Sequence, residues 1–444
     1  MREKEFLPLV HSRLGIEELN PMQRRMMEAA SEKRDIILLS PTGSGKTLAF
    51  TLPLLKMLNP AAGKLQAVII TPSRELTVQV ADVIRSIAAG YKVTALYGGH
   101  KVEDEVNSLS VVPDIIVATP GRMLDHLKRG NVDPQTCRIL VLDEFDKCLE
   151  LGFEDEMAKI VKRLKNVSRI ILTSATPSAS IPDFIPLSNP LELNYLEENR
   201  KLRSRLRVSR VDSDGKDKLE TLLALLRNIN CNGECGKTII FANHRESAER
   251  IYDFLKKNGV AATLYHGALD QRERETSLTL FNNGTAPVLV ATDLAARGLD
   301  IDKVESVIHY HQPLVAETYA HRNGRTARVN ESGDVYLIIG PDEDIKDFIT
   351  PDRTLHLDTS ANGTLTSGKF SICIGAGKKE KLSKGDIVGF LTKECGIKGS
   401  DIGMITMFDH YAIVSLSDAV KGKLKEIVGN KKIKGEKRRI TEVK

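Results

Sequence analysis

Lys46 and Thr47 end the run Ser40-Pro41-Thr42-Gly43-Ser44-Gly45-Lys46-Thr47, whose glycines and spacing suit the binding of phosphate. The run follows Asp35-Ile36-Ile37-Leu38-Leu39, of strand type, and leads into Leu48-Ala49-Phe50-Thr51-Leu52, which can continue as helix. A glycine-rich turn between strand and helix leaves backbone N–H groups unpaired at the positive end of the helix dipole, a cradle for phosphate oxygens. Thr42, Gly43, Ser44 and Gly45 supply that cradle, Lys46 is placed to reach the terminal phosphates, and the Thr47 hydroxyl is placed to ligate Mg²⁺. Ser40 stands where the general pattern has its first glycine. Asp143 and Glu144 come about a hundred residues later, at the end of the apolar run Ile139-Leu140-Val141-Leu142. One carboxylate there can hold, through water, the Mg²⁺ that bridges the β- and γ-phosphates, and its neighbour can orient the attacking water and take its proton. A third group, His321-Arg322-Asn323-Gly324-Arg325-Thr326-Ala327-Arg328, carries three arginines at three-residue spacing. A triphosphate cradle in one half and an arginine cluster in the other suggest a nucleotide shared between two domains.

These residues need rigid elements to place them. The chain alternates strand-type and helix-type segments, a pattern that predicts parallel sheets with crossover helices. The expected strands of the first half are Asp35–Leu39, Ala67–Thr71, Asp114–Thr119, Arg138–Leu142 and Arg169–Thr173. Those of the second half are Lys237–Phe241, Ala261–Tyr265, Val288–Ala291, Ser306–Tyr310 and Asp334–Ile339. Polar clusters follow most of them, and in open α/β sheets the ligand crevice lies at the carboxyl ends of the strands. The charged stretch Asn194–Arg210 reads as a linker, which gives domains over 1–200, 201–355 and 356–444.

At 444 residues, 41% hydrophobic and 28% charged, the chain has the make-up of a soluble globular protein of more than one domain. No apolar run approaches the roughly 20 residues of a membrane span, and no signal-peptide core follows the first residues, so a cytoplasmic protein with no membrane partner is expected. Cys231 and Cys235 form a CxxxC with no second pair or nearby histidine, which argues against a metal site.

The ordered set of motifs resembles that of the DEAD-box RNA helicases of superfamily 2, over nearly the whole chain. The resemblance implies two RecA-like domains and an RNA-dependent ATPase using ATP and Mg²⁺. It implies that Gln23 reads adenine and that Phe6, 17 positions earlier, stacks on it. Pro72, Arg74, Gly98, Gly99, Thr119, Pro120, Gly121 and Arg122 match the family's first-domain RNA contacts. Asn243, Arg245, His266, Gly267, Gln271, Arg274, Thr292 and Asp293 match those of the second. Asp146 is expected to couple to Ser174 and Thr176, linking hydrolysis to strand separation. Asp300 is expected at the ribose, and Arg325 and Arg328 as arginine fingers on the γ-phosphate. Phe145 departs from the family's alanine, and Asn323 and Ala327 from its isoleucine and glycine.

Beyond Thr359-Ser360-Ala361-Asn362-Gly363, a flexible junction by composition, the expected order is Phe370–Ile374 strand, Gly385–Glu394 helix, Ile402–Met407 and Tyr411–Leu416 strands, Asp418–Val428 helix and Arg438–Glu442 strand. That β-α-β-β-α-β order is RRM-like. Lysines crowd the first loop (Lys378, Lys379, Lys381, Lys384) and the end (Lys431, Lys432, Lys434, Lys437, Arg438, Arg439), which favours nucleic acid. The third strand keeps one aromatic, Tyr411, where the base-stacking pattern has three. Through Ala376-Gly377-Lys378-Lys379, Lys384-Gly385-Asp386-Ile387 and Ile402-Gly403 the tail is similar to the ribosomal-RNA-binding module of the DbpA-type helicases, which implies large-subunit ribosomal RNA and ribosome precursors as partners; a monomer is expected. A clamp whose ATPase sets only its residence time on RNA, and a DNA helicase, remain as alternatives.

Overall fold

The structure, a computed structural model, describes residues 3–41, 43–176, 181–196, 206–230, 235–293, 301, 304–326, 333–358 and 360–443. Thr42, Asp300 and Arg328 of the expected site lie outside these residues, as do Cys231, Ala327, Thr359, Leu294–Gly298 and the middle of the expected linker. The chain divides near Ser204–Arg205 into two compact units, taken in turn.

The first unit is built on a parallel seven-stranded sheet in the order β3-β4-β2-β5-β6-β1-β7. The strands are β1 (Ile36–Leu39), β2 (Ala67–Ile70), β3 (Val93–Leu96), β4 (Ile115–Ala118), β5 (Ile139–Leu142), β6 (Arg169–Ser174) and β7 (Leu191–Asn194). Because successive side chains in a strand point to opposite faces, one run feeds two cores. Ile36, Leu38, Ile69, Val117 and Val141 pack with the helices Glu3–Leu14, Pro21–Ala29, Lys46–Met57 and Arg74–Ile87. Ile37, Leu39, Ile70, Ala118 and Leu142 pack on the other face with Pro120–Arg129, Phe145–Glu150 and Glu154–Arg163. The expected strands are thus present, and β3 and β7, which the sequence pattern did not indicate, extend the sheet at both edges.

The second unit holds another parallel seven-stranded sheet, ordered β10-β11-β9-β12-β13-β8-β14. Its strands are β8 (Leu206–Asp212), β9 (Thr238–Phe241), β10 (Ala262–Tyr265), β11 (Val288–Ala291), β12 (Ser306–His309), β13 (Gly333–Ile339) and the short β14 (Arg353–Thr354). Leu206–Arg210 is therefore strand and not linker: β8 pairs along its length with β13, from Leu206↔Gly333 to Asp212↔Ile339. Likewise Asn194 closes β7.

The tail forms an antiparallel sheet ordered β16-β17-β15-β19-β18, from β15 (Lys369–Ile374), β16 (Ile402–Met407), β17 (Ala412–Ser417), β18 (Gly429–Ile433) and β19 (Glu436–Val443). The RRM-like order holds, with β18 added. The expected helix Gly385–Glu394 is an α-turn over Lys384–Gly389 followed by a π-turn over Phe390–Glu394. The expected helix Asp418–Val428 is 3₁₀ over Asp418–Lys423 and α over Leu424–Ile427. Among the described residues, no helix is long and apolar enough to cross a membrane.

Candidate nucleotide and RNA site

The carboxyl edge of the first sheet divides by strand order. β5, β6 and β1 are neighbours there and bring Asp143, Ser174 and the phosphate loop side by side. β3, β4 and β2 are neighbours on the other side and gather the expected RNA contacts.

The phosphate loop is braced from below. Asn20 caps the helix Pro21–Ala29 and shares a capping box with Gln23. The Asn20 side-chain amide donates to the Ser44 carbonyl at 3.1 Å, and the Gln23 amide to the Gly45 carbonyl at 3.4 Å. Gly45 has φ +88, and a Cβ there would come within 2.6 Å of the Gln23 amide nitrogen. A larger residue would be strained by the backbone and would displace the Gln23 amide. Lys46 is buried and donates from Nζ to the carbonyls of Ser40 (2.8 Å) and Pro41 (2.9 Å). Thr47 follows Lys46 in the first turn of the helix Lys46–Met57. Phe6, expected to stack on adenine, is wholly buried in the core of the first unit and presents no open ring face.

Asp143 is buried at the end of β5, its carboxylate 2.6 Å from the Thr173 hydroxyl, which donates to it. Burial and the neighbouring Glu144 push its carboxyl up to about 7, against the opposing pull of Thr173 and the Lys46 charge. Glu144 has left-handed backbone (φ 46, ψ 52), an uncommon state for a residue with a Cβ and one that clusters at active sites. Asp146 accepts from the Ala175 amide (3.1 Å) and the Thr176 hydroxyl (2.9 Å), and Ser174 donates to the Thr176 carbonyl at 2.8 Å. Phe145 is fully buried in the core beneath, so the departure from alanine is absorbed as packing.

On the side of the expected RNA contacts, Pro72 precedes and Arg74 begins the helix Arg74–Ile87, which Ser73 caps through the Leu76 amide. The Arg74 guanidinium lies over Gly98, 3.3 Å from where a Cβ would stand. Thr119 and Pro120 start the helix Pro120–Arg129, which places Gly121 and Arg122 in its first turn. Arg122 donates to the Tyr97 carbonyl (3.3 Å) and the His100 carbonyl (3.1 Å), on either side of Gly98-Gly99. Behind them sits Glu105, 3% exposed. It accepts from the Tyr97 amide (2.8 Å) and pairs with Arg122 (3.0 Å), His126 (2.8 Å) and His100 (3.1 Å). Burial works to raise its carboxyl, but hydrogen bonds from His100, His126 and Tyr97 and the charge of Arg122 outweigh it and hold it at about 2. Nothing in the run Glu103-Asp104-Glu105 distinguishes this acid from its neighbours, which is why the sequence pattern did not reveal it.

The sign of that shift gives a prediction. A depressed carboxylate contributes stability above its unfolded pKa and loses it as pH falls towards the folded value. Glu105→Gln should therefore lower unfolding free energy by about 3 kcal/mol at neutral pH. Denaturant titrations should show that gap narrowing as pH falls below 4.5 towards about 2. A gap independent of pH would show that the charge is not what holds the loop.

In the second unit the expected RNA residues fall into two groups. Asn243, after β9, donates to the Gln312 carbonyl (2.9 Å) and accepts from Arg322 (2.7 Å). Arg322 is fully buried, bonds Asp293 at 2.6 Å and lies over the Phe241 ring at 5.1 Å. Thr292 is held through its amide by the Tyr265 carbonyl. His266, next to Gly267, is 3% exposed and pairs with Glu249 at 3.2 Å. These groups brace the carboxyl ends of β9, β10 and β11 against one another. Burial, followed by the Arg322 charge, pushes neighbouring His309 down to about 3, so that histidine is a neutral strut. Arg245 is exposed and paired with Glu246. Gln271 and Arg274 begin the helix Gln271–Asn282, Arg274 bonding the Leu269 carbonyl at 3.1 Å. Arg325 is 2% exposed, just past the helix Ala316–Asn323.

That helix Gln271–Asn282 also receives the tail. Tyr411 donates to Glu275 at 2.6 Å, stacks on Phe408 at 4.4 Å, and has the Arg272 guanidinium 5.0 Å from its ring centre. Asn283 and Thr285 bond Ser371 of β15 at 3.2 and 2.8 Å. The sheet face that stacks bases in ordinary RRMs is thus turned onto the second parallel-sheet domain, and its one aromatic is spent there. Lys378, Lys379, Lys381 and Lys384 remain exposed, Lys378 and Lys379 tied by their amides to the Phe408 and Asp409 carbonyls and Lys381 with φ 55.

A phosphate loop and a carboxylate pair on one parallel sheet, followed by a second such sheet, define a two-domain RecA-like ATPase with a small added module. Residues 20–184 match the DEAD/DEAH box helicase family, 217–330 the helicase conserved C-terminal domain and 371–442 the DbpA RNA binding domain. The chain is 34% identical over 452 residues to the ATP-dependent RNA helicase DbpA of Escherichia coli, covering 96% of this chain and 95% of that one. It is 30% identical to DbpA of Bacillus subtilis over 461 residues, with 96% and 95% covered. Solved structures similar to it include Mss116p bound to ssRNA and AMP-PNP (TM-score 0.69, 26% identity, 80% of this chain and 78% of that one). Another is Saccharomyces cerevisiae Dbp5 bound to RNA and ADP BeF3 (TM-score 0.66, 27% identity, 76% and 87%). The chain belongs to the DEAD-box ATP-dependent RNA helicases, of the kind that carries a DbpA RNA-binding domain, and it is an RNA-dependent ATPase.

Proposed function

We propose that this helicase remodels structured large-subunit ribosomal RNA during ribosome assembly, anchored by its tail while the core melts a nearby duplex. Lys46 binds the terminal phosphates, Gln23 reads adenine and Asp300 holds the ribose. Thr47 and Asp143 offer hydroxyl and carboxylate oxygens, the donor set a hard cation prefers, and Asp143 acts through water. Bound Mg²⁺ neutralises charge on the β- and γ-phosphates. Glu144 orients the attacking water and accepts its proton, and Arg325 and Arg328 stabilise the γ-phosphate. Asp146, Ser174 and Thr176 carry the consequence of hydrolysis towards Arg74, Gly98-Gly99 and Arg122.

The observation that supports the anchor is the convergence of two distant lysine runs. The turn Lys434-Gly435 joins β18 to β19, and Lys434 Nζ reaches the Lys381 carbonyl at 3.0 Å and Asp386 at 3.4 Å. The first loop and the last hairpin therefore meet, and their exposed lysines come from neighbouring turns. Such lysines suit phosphates and the shape of folded RNA better than splayed single-strand bases. A chain ending near Asn362 should keep its maximal ATPase but need more RNA to reach it, and lose preference for one RNA. The affinity of the full chain should fall with salt by a slope of roughly 0.7–0.9 per phosphate contact, and the truncated chain should show a shallower slope. If the truncated enzyme still selects the same RNA, the preference resides in the core and the anchor is wrong.

A further inference from the structure

Thr173 ends the apolar series Ile170-Ile171-Leu172 on β6, immediately before Ser174-Ala175-Thr176, and is fully buried. A buried hydroxyl in a strand most often satisfies itself on a nearby carbonyl. This one instead bridges the two acids of the ATPase site. The Glu144 N–H donates to Thr173 Oγ1 at 3.1 Å, and Thr173 Oγ1 donates to Asp143 Oδ1 at 2.6 Å. The direction follows from chemistry: a backbone N–H can only donate, so it takes a lone pair of the hydroxyl oxygen and leaves the single proton for the carboxylate. Register supplies the position. β5 and β6 pair up to Leu142↔Leu172, so the next residues, Asp143 and Thr173, face each other at the carboxyl edge.

The same short segment makes a second contact with the loop after β5, through Ala175 and Thr176 to Asp146. Two adjacent clamps therefore hold that loop, one on the acids and one on the coupling aspartate. The first also fastens the left-handed peptide at Glu144. We propose that Thr173 is a positioning residue for ATP hydrolysis, its hydroxyl locking the Asp143 carboxylate and the Glu144 backbone into one unit. One oxygen of Asp143 is committed to Thr173, and the carboxylate so held would be the one to receive a hydrated cation. Glu144 is aimed at the attacking water by a backbone that cannot swing. The proposal rests on the roles given above to Asp143 and Glu144.

The test uses the full chain with Thr173→Val, which keeps the shape, Thr173→Ala, which relieves any crowding, and Thr173→Ser, which restores the hydroxyl. Three quantities are read: RNA-saturated ATPase, binding of a fluorescent ATP analogue with and without Mg²⁺, and duplexes opened per ATP hydrolysed. Loss of a hydrogen bond to a charged group should lower kcat roughly ten- to a hundredfold in the Val and Ala variants. Both should lose most of the Mg²⁺-dependent gain in nucleotide affinity, keep the metal-free affinity, and open as many duplexes per ATP as the wild type. Thr173→Ser should recover turnover and Mg²⁺ response. Wild-type turnover and Mg²⁺ response in Thr173→Ala, or a Ser variant as impaired as the other two, would overturn the proposal and leave Thr173 a packing residue. Asp143→Asn is measured in parallel. If it abolishes the Mg²⁺ response while Thr173→Ala does not, only the role of Thr173 fails; if Asp143→Asn responds normally, the reading of Asp143 fails and the proposal with it.

Discussion

Exchanging Glu144 for glutamine should stop ATP turnover and leave the enzyme closed on its RNA, whereas Lys46→Ala should stop turnover by losing the nucleotide. The two outcomes differ because the proposed roles put the two residues on different parts of the substrate. Lys46 is a buried ammonium within reach of the loop carbonyls of Ser40 and Pro41, so a phosphate that enters the cradle exchanges carbonyl partners for charged oxygens. Alanine removes that partner before any chemistry begins. Glutamine at 144 keeps the shape and the backbone N–H bonded to Thr173, and removes only the carboxylate proposed to take a proton from water. Fluorescent-nucleotide binding and RNA dissociation, measured together, separate the two. Turnover arrested by Glu144→Gln with RNA release unchanged would contradict the role assigned to that carboxylate.

The second large effect concerns Arg325. If it stabilises the transferring phosphate, Arg325→Ala should cost on the order of 10³–10⁵ in turnover, the range for arginine fingers. Arg328→Ala should behave alike. Lysine should rescue poorly, because an ammonium cannot reproduce the planar fork of a guanidinium. Arg129, whose side chain is 57% exposed and pairs with Asp125, supplies the control, and its replacement by alanine should change turnover little. Steady-state ATPase at saturating RNA decides the matter. Near-normal turnover in Arg325→Ala, with the control equally unaffected, would remove the second domain from the chemistry.

Which parts of this molecule could be read in the sequence follows from how each signal is built. The phosphate loop was legible because glycine, lysine and threonine are there for one chemistry and the flanking strand and helix are strongly apolar. The central strands were legible because both faces are covered, which makes their residues continuously hydrophobic. Strands at or next to a sheet edge escaped for the opposite reason. In β7, Glu192 and Asn194 face solvent, and in β8 the charged Arg207 and Asp212 do, so each resembles a linker when read alone. β18 is rich in lysine, and its turn, Lys434-Gly435 with φ of 55 and 80, hides a two-residue hairpin behind an unusual first residue. The acids, the glycines and Arg122 were recognisable by motif. Glu105 and Thr173, which hold them, were not, because a positioning residue is defined by what it touches after folding. Tyr411 carried half a message: its lone aromatic argued against base stacking, and its contact with Arg272 and Glu275 shows what the ring does instead.

The central claim is an RNA-dependent ATPase directed by its tail to structured ribosomal RNA. The most direct measurement is ATPase rate of the full chain against graded concentrations of large-subunit ribosomal RNA fragments, an unrelated structured RNA and DNA. The account predicts strong stimulation by one ribosomal fragment at low concentration, weaker stimulation by unrelated RNA only at higher concentration, and none by DNA. Equal stimulation by all three, or by DNA as readily as by RNA, would contradict it.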